Sequence, residues 1–515
     1  MTQAFPPRRP LLGGRLVLAL ALGLFGSVGL LAARAQDDGA PKKDAPSTPK
    51  DDSKGKTKPD DAPTKDEAKT KSKSDEAPAE AAKDAKDEEA DKPPIVPLQA
   101  EPEAPDRWED PRSADALVNE FPELNKALTS PPSDKALVDQ LARGQGQMDL
   151  GAIDRFVRTR VADLTKRSNI KALMDPLAKG ADAKALEKAA DDLIKPLMIP
   201  SAGANQGFRR EYVKKLVEVF QPIWAGHLHS RTMAMIVLSR SGEVAAMPTF
   251  TEQLNNPDQL AVVKLLASVG ISNVALNGRR EVEDGAALPA AKALNDFLRR
   301  EPDIFWPAQF RAVEALGSLR MATDKPLLGK AEFAETLLLA AADPKAAPTV
   351  RAWSAWALGM MRVPSSVKNY NYALVADVLG SLTADIGTKI AKLPDDAQSK
   401  MFQKSDLLVQ IHLGISGDPD ARGSGLVHAN HPSAGTALPH VGEVEKRVRN
   451  VAKLALELAN SSKGESMKTR RTALLAACDD LRTFVAKPLP NGRALFAGSE
   501  PLPTPEAPKV AGARP

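Results

Sequence analysis

Val350-Arg351-Ala352-Trp353-Ser354-Ala355-Trp356-Ala357-Leu358-Gly359 is the stretch whose reading decides the fold. Its apolar positions fall at helical intervals, with small Ala residues set between large side chains and a Gly at the end. Ala lets a neighbouring helix approach, Leu fills the seam between them, and a terminal Gly ends a helix without a Cβ penalty. A shift back of 42 residues lays Ala315-Leu316-Gly317 on Ala357-Leu358-Gly359 and Arg320 on Arg362. A shift forward of 98 lays Val448-Arg449 on Val350-Arg351 and Ala455-Leu456 on Ala357-Leu358. A shift back of 120 lays Arg231 on Arg351 and Leu238 on Leu358.

These residues resemble the second helix of a HEAT-like repeat, in the bacterial form with a V-R-x-x-A-x-x-A-L-G core, and 42 residues lies within the range of HEAT and armadillo units. The match departs from the pattern at 308–317, where Ala308 and Gln309 replace the Val-Arg pair, and the copies at 231 and 449 lack the closing Gly. The resemblance covers roughly 206–487 and implies an all-α fold, an α-solenoid of antiparallel helix pairs. Helical spacing also runs through the preceding segment, as in Ile153, Phe156, Val157, Val161 and Leu164. Residues 106–205 show no repeat and read as an N-terminal cap or a separate helical bundle. Breakers such as Pro131-Pro132, Pro196, Pro222, Pro248, Pro302, Pro344 and Pro364 separate helices of ordinary length. Val274 to Val282 is the exception, because its central Asn277-Gly278 suits either a small hairpin or a plain loop.

Outside the helical body the composition changes. Arg8, Arg9 and Arg15 precede the uncharged run Leu16–Ala33, and Ala33-Arg34-Ala35 is a small-x-small cut site. Residues 1–35 therefore read as a secretory signal peptide, the alternative being an uncleaved membrane tether. Pro7 stands where a twin-arginine signal prefers Ser or Thr, which leaves the general and twin-arginine routes both open. Residues 36–105 form a Lys/Asp/Ala/Pro-rich linker whose first branched aliphatic is Ile95, a composition unable to offset its own ordering entropy. Residues 488–515 read as a second, Pro-rich disordered tail. The chain has 70 Lys and Arg against 66 Asp and Glu, a net +4, and the four Arg of residues 1–36 account for that excess. A basic field for nucleic acid is thereby excluded. A single Cys excludes a disulfide framework.

The standard catalytic signatures, H-E-x-x-H, G-x-S-x-G, G-x-x-x-x-G-K-[ST] and G-x-G-x-x-G, are all missing from the sequence. Ser365-Ser366-Val367-Lys368 holds an S-x-x-K spacing without companion motifs, and Cys478 lies in an apolar helical stretch as a buried thiol. Three of the six His, His428, His431 and His440, read as members of one loop over 416–440, close to Asp418 and Asp420. Imidazoles and carboxylates so grouped make this a candidate metal or ligand loop, against a plain solvated loop. His227 and His229 flank a turn, where capping outweighs chelation. Trp353 and Trp356, three residues apart on one helix face, are either core or an aromatic binding anchor. The expectation is thus an exported scaffold without catalysis or cofactor, periplasmic or secreted. It would bind an unidentified protein partner of the envelope or cell wall, without nucleic acid, and would meet a membrane only through an uncleaved N-terminus. The alternatives are a metal-dependent hydrolase using the 416–440 loop and a structural envelope component without a specific ligand.

Overall fold

A computed structural model describes residues 131–174, 184–199, 205–277, 284–461 and 464–503, all within one compact unit. The expected signal peptide, the charged linker and the Gly278–Val282 half of the turn lie outside the described residues. Among the described residues there are sixteen α-helices and no strand, so the fold is all-α. The first six are α1 (Pro132–Ala142), α2 (Leu150–Thr165), α3 (Arg167–Met174), α4 (Ala185–Ile194), α5 (Gln206–Phe220) and α6 (Leu228–Ser239). Then follow α7 (Met247–Asn255), α8 (Ala261–Asn277), α9 (Asp284–Arg300), α10 (Trp306–Leu319), α11 (Glu332–Ala342) and α12 (Pro348–Met360). The last four are α13 (Tyr372–Ala391), α14 (Gln398–Ser416), α15 (Ala434–Ala459) and α16 (Glu465–Val485).

Local chemistry sets many of these starts. Pro occupies the first or second position of α1, α7, α10 and α12, where its missing N–H costs no helical bond. The side chains of Asp149, Asn205 and Asn371 accept from the N–H of Ala152, Phe208 and Leu374 at 2.9, 3.1 and 3.0 Å, capping α2, α5 and α13. The hairpin reading of Val274–Val282 is corrected. Val274 to Asn277 are the last residues of α8, because the apolar run that buries Ile271 and Val274 keeps its helical period to the end.

Packing arranges the helices in two rows. α2, α4, α6, α8, α10, α12 and α14 each lie against the next, while α7, α9, α11 and α13 form a second row. Each of α8, α10, α12 and α14 also packs on the odd-numbered helix before it. No gap marks the border expected at residue 205: Tyr212 Oη donates to Leu193 O at 3.0 Å and Ser230 Oγ to Leu164 O at 2.8 Å. At the other end α13, α15 and α16 pack on one another, with α14 against α15.

The fourth residues of α6, α8, α10 and α12 are Arg231, Lys264, Gln309 and Arg351. Each fastens a turn. Arg231 Nη1 donates to Gln259 Oε1 at 2.8 Å, Lys264 Nζ to the Glu301 carboxylate, Gln309 Nε2 to Pro302 O at 2.6 Å and Arg351 Nε to Ala341 O at 3.0 Å. Arg449, which the shift of 98 lays on Arg351, is an exposed side chain bound to Glu445 on its own helix. It does not share the role.

The closing-glycine expectation is also corrected. Gly317 and Gly359 lie inside α10 and α12, and the left-handed cap of α10 is Arg320 at φ 59°. A Cβ on Gly317 would stand 2.7 Å from Ala357 Cβ, and one on Gly359 would fall on the Gly414 carbonyl. These glycines let backbones touch across the even row. The stretch after α16 departs from the expected tail as well. Asn371 N donates to Leu495 O at 2.8 Å, its Nδ2 donates to Gly492 O at 3.0 Å, and Leu495 and Phe496 are buried. Two apolar side chains and the α13 cap thus hold residues 488–503 as a strap, while 504–515 lie outside the described residues. Among the described residues no helix is long and apolar enough to cross a membrane.

Candidate functional site

The loop from Gly417 to Ser433 joins α14 to α15 and closes over the C-terminal ends of α10 and α12. Asp418 organises it. Its Oδ1 accepts from Asp420 N at 2.9 Å, its Oδ2 accepts from Trp356 Nε1 at 3.1 Å, and its own N–H donates to Ser424 Oγ at 2.7 Å. Gly425 N donates to Gly359 O at 2.7 Å, with Gly425 at φ +93° pressed on the Gly417 backbone, where a Cβ has no room. Arg320 ties the same edge together, its Nη2 donating to Arg422 O at 3.2 Å while its carbonyl accepts from Arg362 N at 2.9 Å.

The two tryptophans differ. Trp356 is buried and bonded to Asp418; Trp353 is half-buried, with ring centroids 5.2 Å from both Phe310 and Trp356. Arg311 stacks 4.6 Å over Phe310 and donates to Glu314 at 2.6 Å, both partners being buried. Trp353 is therefore the outer ring of a braced aromatic group, a form suited to contact rather than to chemistry.

The metal-candidate residues are not brought together. His431 spends both ring nitrogens on the backbone: Nδ1 accepts from Ser433 N at 3.1 Å and Nε2 donates to Pro364 O at 3.1 Å. His428 and Asp420 are exposed, and the His428 ring edge borders Gly417. His440 is not in the loop at all. It is the residue after Pro439 in α15, whose helical phase begins at Ala434 despite that proline. His440 Nε2 lies 2.7 Å from Asp377 Oδ1, and its ring stacks on Phe484 at 5.1 Å. Among the described residues no three His, Cys, Asp or Glu side chains are grouped to hold a metal ion.

The remaining sequence candidates have structural roles. His227 caps α6, its Nδ1 accepting from His229 N at 3.2 Å. Burial, reinforced by the neighbouring His227, lowers the His229 pKa to about 4. Cys478 is buried, which pushes its thiol up to about 11, and Ser365 and Lys368 are exposed in the turn after α12.

Three features had not been singled out in the sequence. Asp377 is fully buried, with Oδ2 lacking a hydrogen-bond partner. Burial raises its pKa, against the lowering effect of His440 and Arg493. A lone acid inside Leu374-Val375-Ala376-Asp377-Val378-Leu379 is the signal that marks it. Glu445 accepts from His412 at 2.9 Å and from Arg449; desolvation pushes its carboxyl up, but these bonds hold it below the usual range. A cavity of about 330 Å³ lies where Arg299, Glu335 and Leu338 meet Leu495, Glu500 and Leu502 of the strap. Burial raises the Glu335 pKa there, with Arg299 opposing. No protein-family model, curated protein or solved structure matches this chain, so what it resembles rests on its own residues and packing.

Proposed function

We propose that the chain is an exported α-solenoid scaffold of HEAT-like helix pairs that binds a protein partner, with Trp353 as an anchor of the contact. The observation that carries this reading is the even row from α6 to α12. A polar fourth residue recurs along it, with Arg231 and Lys264 bonding to the turn ahead of the next helix of the row, Gln309 to the turn ahead of its own helix and Arg351 to the last turn of α11. Stacked pairs of this kind share a continuous core and offer a long side surface to a partner. Trp353 supports the location, because it is a large ring held by Phe310 and Trp356 yet partly open to solvent. A rigid aromatic side chain loses little entropy on binding and so suits a hot spot. In this reading the N-terminal signal sends the chain to the periplasm or beyond, and the charged linker spaces the helical body from whatever holds the N-terminus.

The test is site-specific photocrosslinking in the native cell with a benzophenone side chain in place of Trp353 in the full chain. One dominant protein adduct is expected, absent when the same group replaces the exposed Met198 at the far end of the row. Adducts of equal yield at both positions, or none at 353, sink the scaffold reading.

A further inference from the structure

The two most exposed large apolar side chains among the described residues are neighbours. Leu327 is 95% and Leu328 66% exposed, on the single turn Pro326–Leu328 between α10 and α11. Isolated exposed leucines are ordinary on a protein surface, but an adjacent pair at the tip of a turn is a feature that needs an occupant. The turn is built to present them. Leu328 N donates to Lys325 O at 3.0 Å, Lys325 N to Thr323 Oγ1 at 2.9 Å, and Thr323 Oγ1 to Glu332 Oε2 at 2.7 Å, while Phe333 N closes the base on Ala322 O at 3.1 Å. Gly329, at φ +66°, backs the turn against the next one, since a Cβ there would stand 3.2 Å from Ser366 O. The leucines project because the backbone beneath them is tied down.

Charge selects the occupant. Lys325 and Lys330 flank the leucine pair, and Lys368 belongs to the abutting turn; all three are exposed and none forms an ion pair among the described residues. Of the acids nearby, Asp324 pairs with Lys292 at 3.8 Å, Glu332 accepts from Thr323, and Glu335 feels the Lys330 charge without forming an ion pair with it. Two exposed leucines with two exposed lysines beside them in sequence and a third on the abutting turn match the bilayer boundary, where apolar tips enter the acyl region and lysines reach phosphate headgroups.

We infer that the Lys325–Lys330 turn docks the helical body peripherally on a bilayer rich in anionic lipid, with Leu327 and Leu328 inserted and Lys325, Lys330 and Lys368 on the headgroups. This contact uses residues other than Trp353 and the N-terminal apolar segment. It widens the membrane contact expected from the sequence, which was confined to the N-terminus.

The experiment uses the full chain, and because an uncleaved N-terminal segment would itself bring it to vesicles, the readout has to be local to the turn. An environment-sensitive nitrobenzoxadiazole dye is placed on Leu327→Cys, with Met198→Cys as the control site; Cys478 is buried and takes no label. With vesicles of equimolar phosphatidylcholine and phosphatidylglycerol, the 327 label is expected to shift to the blue and brighten about threefold, while the 198 label stays unchanged. Replacing Lys325, Lys330 and Lys368 by Gln is expected to raise the lipid concentration needed for that signal about a hundredfold. An unshifted 327 label on vesicle-bound protein overturns the proposal and leaves a protein partner for the turn. Equal signals at 198 and 327, or an equal response to vesicles of phosphatidylcholine alone, overturn it too.

Discussion

Two parts of the molecule use glycine in opposite ways. In the even row, Gly359 of α12 and Gly414 of α14 bring backbone onto backbone; a Cβ on either would strike a carbonyl of the facing helix. In the corner of α13, α15 and α16, Gly380 and Gly387 receive side chains instead. A Cβ on Gly387 would meet Cys478 Sγ at 2.6 Å and Val451 Cγ1 at 2.9 Å. Backbone cannot rotate aside, whereas a Val or Cys side chain can take another rotamer. The α12–α14 contact is therefore set by backbone meeting backbone, whereas the corner, like Gly270 of α8 under the Phe250 ring, is set by side chains.

The largest effect expected follows directly. Gly359→Ala should cost about 3 kcal/mol by forcing α12 and α14 apart, read as a lower urea midpoint. Gly387→Ala should stay within about 1 kcal/mol of wild type, because the gain in helix propensity offsets part of the crowding. Equal losses at the two sites would break the distinction.

The regions also hide titratable groups of opposite consequence. In the row, His229 is buried at the start of α6 with its pKa lowered to about 4 from an ordinary 6.5, by burial first and His227 second. The unfolded chain takes up this proton first as pH falls from 6.5 to 4, so the folded state loses stability through that window. His229→Gln removes the titration, and its stability relative to wild type should improve by about 2 kcal/mol on going from neutral pH to about pH 5. Urea midpoints across the range measure it, and a flat difference would mean that the imidazole is solvated.

How far the fold could be read in advance follows the same division. The shift of 42 relates two helices that lie in contact, Gly317 of α10 meeting Ala357 of α12. The shift of 120 matched Arg231 to Arg351 because both fasten a turn from the fourth position of a helix. The shift of 98 matched apolar residues alone: Val448 and Ala455 are buried in α15 as any helix would bury them, while Arg449 stays on the surface. Periodicity could not separate these cases, since burial of one helix face looks alike in a row and in a corner. The site was legible in outline only. Asp418 and Trp356 were both noted, but nothing in sequence pairs residues 62 positions apart. Pro439 and the many glycines disguised the start of α15, and with it the true place of His440.

A more moderate loss should come from the hinge of that loop. Asp418→Ala removes the acceptor of Trp356 Nε1 and of Asp420 N, leaving a largely buried indole N–H unbonded. About 1.5 kcal/mol of stability should go with it, together with a shift in tryptophan emission. Loss of stability without the spectral change would place the effect in the loop backbone rather than at the α12 seam, and so detach the loop from the row.

The smallest effect, and the one of opposite sign, belongs to the corner. Burial raises the Asp377 pKa above its ordinary 3.8, but the His440 bond and the Arg493 charge offset part of that rise. A raised carboxyl pKa means that the folded chain holds the proton longer than the unfolded one. Stability from this group is fully present below about pH 3.8 and is lost as pH rises through the folded-state value. Asp377→Asn carries a neutral amide of the same shape at every pH, so its stability relative to wild type should climb as pH rises from acid to neutral. His229→Gln gains on wild type in the other direction, as pH falls. If the Asn variant instead falls behind wild type toward neutral pH, the ionised pair with His440 outweighs desolvation. The corner would then be held by charge, and the contrast with the backbone-packed α12–α14 contact would widen from one of packing to one of electrostatics.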